Sequence, residues 1–258
     1  MNVIQQFIRS LYSPKYIAAF RFSGIGKAIS YIFFLMFITS IPAGITFTLS
    51  MLTLTSQVDS ALHEDLPDFE LRNGILHADQ EEPLYIEDNG DTIIFDATGT
   101  VSREDIDTEP AIALLREEVV VIEDGTIESF SYGQAANLHL TKDEIISLMD
   151  TVSGLLPILI PVFLLGLYLF VTAMKFIGIF SLSLFGLLLR RKVAIRLPYR
   201  NIWIMSVYAV TLPTLVLAII DAAGIALPFS FTVYWAIAFV MLFAAYRRLP
   251  KPKKTATS

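Results

Sequence analysis

The sequence predicts an α-helical polytopic membrane protein with four transmembrane helices and a small extracellular α+β domain, its antiparallel sheet made of hairpins. Three observations predict it. Residues 152–189 form an apolar run with one charge, Lys175, closed by Arg190, Arg191 and Lys192. That run far exceeds the ~20 residues that cross a bilayer. The acids are segregated: of 25 Asp and Glu, all but Asp221 lie between positions 59 and 150, a stretch whose only bases are Arg72, Arg103, Arg116 and Lys142. Within that block, Asn73-Gly74, Asn89-Gly90 and Asp124-Gly125 punctuate alternating apolar segments, the dipeptides that tight hairpin turns require.

Composition agrees. Hydrophobic residues make up 54% of the chain, above the roughly 45–50% apolar share of soluble domains. The net charge of −6 joins an acidic block to a basic remainder, so nucleic acid is not an expected partner of the block, which lacks clustered Lys and Arg. Cysteine is absent, which excludes disulfides, thiolate metal sites and a cysteine nucleophile.

In chain order, residues 1–27 read as a cytoplasmic amphipathic segment. Ile4, Phe7, Ile8 and Leu11 recur at helical spacing, and Arg9, Lys15, Arg21 and Lys27 are placed to face anionic headgroups at the cytoplasmic surface. The first transmembrane helix covers 28–54, with Pro42 and Gly44 inside it; it is too long, and lacks the small-residue cleavage site, for a secretory signal. The extracellular acidic domain covers 55–141. Besides its three hairpins it is expected to hold a short helix over residues 111–117, capped by Thr108 with Pro110 in the first turn. Thr141 and Glu144 form a capping box that starts a long helix over 142–189, including the second transmembrane helix; Pro157 and Pro161 are where it can bend. Counting one crossing here keeps the basic cytoplasmic loop, 190–200, on the inner side. Whether 176–189 continues the span or lies along the inner leaflet stays open at this stage. A third transmembrane helix at 201–220, a short outer loop at 221–228, a fourth helix at 229–246 and a basic cytoplasmic tail at 247–258 complete the chain, with both termini cytoplasmic.

Few residues suggest chemistry. The run Ile93-Ile94-Phe95-Asp96-Ala97-Thr98-Gly99-Thr100 has the outline of an aspartyl-phosphate loop, but that reaction needs further acids for Mg²⁺ and a phosphate-holding lysine. Asp96 is therefore read as a turn residue away from any packed core, whose change to Asn costs no more than about 1 kcal/mol. His63, His77 and His139 share no metal-ligand spacing, and no metal or cofactor is expected. Lys175 is either an intramembrane functional charge or, if the crossing ends near Met174, a lysine snorkelling to the inner interface, the reading preferred here. Arg190, Arg191 and Lys192 are the other candidates, through headgroup contact.

The segments SLYSPKYIAAFRFSGIGKAISYIF, LPDFELRNG, TIIFDATGTV and RRKVAIRLPYRNIWIMSVYAVTLPTLV resemble a family of Gram-positive bacterial multipass proteins of unknown function, some labelled maltodextrin utilisation protein. The long helix, basic loop and residues 208–213 are more remotely similar to the Yip family of membrane-trafficking proteins, from which the outer domain departs. The resemblance implies a cell-membrane protein and a link to carbohydrate uptake; it supplies no catalytic residues. The expectation is a non-enzymatic scaffold or accessory subunit whose outer domain binds a partner. Its partners are then the lipid bilayer, a membrane protein or a second copy. The alternative is a small transporter component with a pathway near Lys175.

Overall fold

Seven α-helices and eight β-strands are assigned among residues 1–88, 91–107, 111–123, 125–135, 137–193 and 197–250, which the computed structural model describes. The helices are α1 (Val3–Tyr12), α2 (Pro14–Phe20), α3 (Ile25–Ser60), α4 (Lys142–Val193), α5 (Tyr199–Ala209), α6 (Thr211–Ala222) and α7 (Ser230–Arg247). Among the described residues, four helical stretches are long and apolar enough to cross a membrane: Ile25–Asp65, Lys142–Leu189, Tyr199–Ala222 and Ser230–Arg247. The chain divides into two compact units, Met1–Thr48 with Ile160–Ser258, and Leu49–Leu159.

The first unit is built around α5. Its residues 202–209 are all buried, and α2 and α7 pack on it. The rings of Phe20 and Tyr31 lie 4.6 and 4.5 Å from that of Tyr208, near its C-terminal end. The third apolar stretch is not one regular helix, because α5 ends at Ala209 and α6 begins at Thr211. Pro213 accounts for the break: it has no N–H for the carbonyl of Ala209, and its ring crowds that carbonyl. By contrast α4 runs unbroken through Pro157 and Pro161 to Val193, so residues 176–189 continue the helix.

Helix α1 forms where its period predicts, yet two polar residues join Val3 and Phe7 on its inward side. Gln6 (5% exposed) and Ser10 (0%) are buried, while Ile4 (54%) and Ile8 (49%) are exposed. The Tyr208 hydroxyl donates to Gln6 Oε1 at 3.0 Å, and Ser10 Oγ donates to the Gln6 carbonyl at 2.7 Å. The side expected to meet headgroups is thus partly spent on protein.

The second unit holds two sheets. β1 (Phe69–Arg72) pairs antiparallel with β2 (Ile75–Ala78), and with β8 (His139–Thr141) on its other side. The second sheet has the order β3 (Leu84–Asp88), β4 (Asp91–Asp96), β5 (Ala111–Leu115), β6 (Glu118–Glu123), β7 (Thr126–Ser131). All its neighbours are antiparallel except β4 and β5, which pair in parallel from Thr92↔Ala111 to Asp96↔Leu115. The expected hairpins are present. Asn73 and Gly74 both have positive φ, 53° and 76°, as a type I′ turn needs; a Cβ on Gly74 would also meet Gly133 Cα at 3.1 Å. Residues 89–90 and 124 lie outside the described residues, but the strands flanking them pair as hairpins.

The helix expected over residues 111–117 is a strand instead. Ala111, Ala113 and Leu115 are buried and alternate with half-buried neighbours, because the segment is threaded between β4 and β6. Two-sided pairing in a sheet overrides the helical preference of so short an Ala/Leu stretch. Thr108 and Pro110, its expected cap and first turn, lie outside the described residues. The antiparallel hairpins stand, with one departure: β4 and β5 pair in parallel, and reaching β5 from β4 requires a crossover rather than a hairpin.

One face of this sheet buries Ile94, Ala111, Ala113, Leu115, Val120 and Ile122 beneath Val101 and Ile106. The other presents Phe95 to Leu62, Leu66, Phe69 and Leu76, with Ile145, Ile146 and Met149 of α4 packed around them. The capping box forms at the start of α4: Thr141 N donates to Glu144 Oε2 at 2.8 Å, and Glu144 N donates to Thr141 Oγ1 at 3.4 Å.

Candidate functional site

Position 175 brings three helices of the first unit together around a charge. The Lys175 amine donates to Thr214 Oγ1 of α6 at 3.2 Å and to Tyr234 Oη of α7 at 3.3 Å. It also lies 4.5 Å from the centre of the Tyr234 ring, within range of a cation–π attraction. Thr214 Oγ1 donates in turn to the Val210 carbonyl at 2.7 Å, so toward Lys175 it acts as acceptor. Helical spacing explains the α4 side. Tyr168, Thr172, Lys175, Ile179, Leu182 and Gly186 follow one another at intervals of three or four, the stripe a helix presents to one neighbour. Thr172 is 2% exposed, and its hydroxyl has no hydrogen-bond partner among the described residues.

No ion pair among the described residues includes Lys175. The sequence explains why: the first unit contains a single acid, Asp221. That residue is exposed and stands about 10 Å of helical rise beyond Thr214 on α6.

A close helix crossing fixes the far end of the same stripe. A Cβ on Gly186 would lie 2.6 Å from Ile202 Cγ2 and 3.2 Å from Tyr246 Oη, and Tyr246 Oη donates to the Gly186 carbonyl at 2.9 Å. Beside this crossing, Phe185, Leu188, Leu189, Phe239, Val240 and Phe243 line an open groove of about 390 Å³. Its lining side chains are all apolar, so nothing in it can orient a polar ligand.

The second unit holds its one noteworthy carboxylate for structure. Asp96 is fully buried. Its Oδ1 accepts from Thr98 N at 2.9 Å, Thr98 Oγ1 at 2.5 Å and Gly99 N at 3.2 Å, and its Oδ2 accepts from Val101 N at 2.7 Å. Burial pushes its pKa up, but the donors from Thr98, Val101 and Gly99 together hold it below the ordinary carboxylate value. A carboxylate engaged in this way is a loop anchor, not a poised nucleophile, and the expectation of a turn residue away from the core is overturned by its burial. His139 Nε2 lies 3.1 Å from Glu70 Oε2, and His63 Nδ1 lies 3.4 Å from Asp59 Oδ1. No group of three or more His, Asp or Glu among the described residues is placed to hold a metal ion.

Of the residues singled out in the sequence, Lys175 alone enters this arrangement. The side chains of Arg190, Arg191 and Lys192 lie outside the described residues. Thr172, Thr214 and Tyr234 were missed. Thr172 was detectable, being the hydroxyl one helical turn before the only charge of the run.

A family model described as "Protein of unknown function (DUF1189)" matches residues 4–246. No curated protein and no solved structure matches the chain.

Proposed function

The chain belongs to this family of unknown function, and we propose that it is a non-enzymatic multipass protein of the cell membrane, a scaffold or accessory subunit whose acidic outer unit binds a partner. The observation that carries the reading is the surface of α4. In its most apolar window only 6% of the residues are buried, and Ile158, Val162, Phe163, Leu165, Leu169 and Phe170 are all largely exposed. Each such side chain forgoes about 1.5–3 kcal/mol of burial if left in water, whereas a bilayer covers them all. Charge supports the same arrangement. Four spans with both termini cytoplasmic put Arg190, Arg191, Lys192, Arg196, Arg200, Arg247 and Arg248 inside and nearly every acid outside, as the positive-inside rule prefers. The exposed Ile4 and Ile8 of α1 suit a helix resting at the inner interface, its bases near anionic headgroups. The maltodextrin label of some similar proteins directs the search for a partner toward carbohydrate uptake systems.

The test uses the absence of cysteine. Asn73→Cys and Thr257→Cys are exposed to a membrane-impermeant thiol reagent on intact cells. Labelling at Asn73→Cys only is expected; labelling at Thr257→Cys only would reverse the topology.

A second reading, a transporter component with its pathway at Lys175, is favoured by depth. About 22 Å of helical rise separates Lys175 from Arg190 on α4, and about 20 Å separates Tyr234 from Arg247 on α7. Two helices ending in bases at one interface therefore set the amine beyond the middle of a hydrocarbon core about 30 Å thick. The inner interface is then out of reach of a snorkelling side chain.

A further inference from the structure

A charge in that position needs a counter-charge, and the unit around it has none to offer nearby. An ammonium carries three N–H donors. Two of Lys175's are taken by Thr214 and Tyr234, both neutral, which leaves one donor over. One turn away on the same stripe, the Thr172 hydroxyl is buried without a partner among the described residues. A buried hydroxyl without a partner is unfavourable, and so is a charge in the membrane interior without a counter-charge. Both costs vanish together if one group accepts hydrogen bonds and bears negative charge. An oxyanion does both. Asp221 cannot serve in this arrangement, since it stands about two turns further along α6 and is exposed. The apolar groove at Phe185 and Phe243 supplies neither a charge nor an acceptor.

We propose that Lys175, held by Thr214 and joined by the hydroxyls of Thr172 and Tyr234, forms a binding site for a carboxylate or phosphate group among α4, α6 and α7. This deepens the reading of Lys175 as an intramembrane functional charge and rests on the membrane arrangement that sets it at depth. The cation supplies affinity, the hydroxyls supply direction, and the cation–π contact with Tyr234 keeps the amine in place when the site is empty. Partial exposure of Lys175 lets the anion enter from outside the bundle. Two sources share this chemistry: the headgroup of an anionic lipid and a soluble organic or inorganic anion.

Trp235 gives a direct readout, its ring lying 6.0 Å from that of Tyr234. With Trp203→Phe it becomes the sole tryptophan, since the chain has two. The full-length protein in phosphatidylcholine nanodiscs is titrated with inorganic phosphate and with acetate, and in a separate series the nanodiscs are enriched stepwise in phosphatidylglycerol. A saturable change in Trp235 emission with phosphate or acetate identifies a soluble ligand; a change with phosphatidylglycerol only identifies a lipid. Either supports the site provided that Lys175→Gln weakens it roughly tenfold or more, Thr172→Val weakens it roughly threefold, and the interfacial control Arg247→Gln leaves it unchanged. Where Lys175→Gln does not fold, the Thr172→Val and Arg247→Gln pair decides. No saturable change in any series, or equal losses in the site variants and Arg247→Gln, overturns the proposal. Its failure is separable from that of the membrane arrangement: absent titration with outside labelling at Asn73→Cys sinks the site alone.

Discussion

Replacing Asp96 tests whether the loop after β4 is held by one carboxylate. In Asp96→Ala three backbone donors, those of Thr98, Gly99 and Val101, lose their acceptor together with the Thr98 hydroxyl. A buried donor left unpaired costs about 1–3 kcal/mol. Because part of this loop is exposed, water can rescue some of those donors, and the expected loss is about 3–5 kcal/mol. Asp96→Asn is milder but not silent: if its carbonyl replaces Oδ1, its NH₂ faces the N–H of Val101, donor against donor, for a loss of about 1–3 kcal/mol. The pH dependence follows from the depressed pKa. Stabilisation is fully present above the unfolded-state value of about 3.9 and is lost as pH falls through the lower folded-state value, since only the ionised carboxyl accepts all these bonds. Wild type should therefore lose stability below about pH 4 more steeply than Asp96→Asn. Denaturant unfolding of the full-length protein in nanodiscs, followed by hydrogen exchange in the peptide containing Thr98 and Val101, measures both effects. Asp96→Ala unfolding within about 1 kcal/mol of wild type, with those amides equally protected, would refute the reasoning.

Gly186→Ala places a Cβ against Ile202 and Tyr246 at a crossing with no spare room, so overpacking should cost about 1–3 kcal/mol, read as a lower thermal midpoint in detergent. Gln6→Leu removes the acceptor of the buried Tyr208 hydroxyl, for about 1–3 kcal/mol, and the double variant with Tyr208→Phe should cost less than the two singles added. Strict additivity in that cycle would mean the α1–α5 hydrogen bond contributes nothing.

The four long apolar helical stretches were legible because length and hydropathy are local properties. Turn dipeptides marked three hairpins for the same reason, since positive φ is a demand on one or two residues. The turn at Arg116-Glu117, between β5 and β6, was missed because it carries no Gly or Asn. Residues 111–115 were misread because their strand character comes from β4 and β6 rather than from within the segment. At the site the limit is range. Lys175 stands out in its own run, but Thr214 and Tyr234 lie 39 and 59 residues on, and nothing near them in sequence marks an acceptor for a lysine. The inward placement of Gln6 on α1 has the same cause: Tyr208, which satisfies it, is 202 residues away. Asp96 was misjudged by a different route, because Asp-x-Thr-Gly reads identically whether its carboxylate faces solvent or a buried loop.

Autonomous folding of the acidic unit depends on where it is cut. Hairpin turns and alternating apolar strands alone suggest that residues 56–142 suffice, against the repulsion among their acids. The hydrophobic cluster says otherwise, since Ile145, Ile146 and Met149 pack against the group containing Phe69 and Phe95 from beyond residue 142. Their removal uncovers part of that cluster. Each is partly buried, so each contributes less than the ~1.5–3 kcal/mol of full burial, and together about 3 kcal/mol is at stake. Truncation at 142 also deletes Glu144, which receives the Thr141 N–H. An isolated unit of about this size typically has only 5–15 kcal/mol of stability, reduced further here by repulsion among its acids. Residues 56–150 should therefore fold with a cooperative melt, while residues 56–142 should melt substantially lower and lose amide dispersion at low salt, where the repulsion is least screened. Equal melting of the two fragments would show that the α4 side chains contribute nothing to this core.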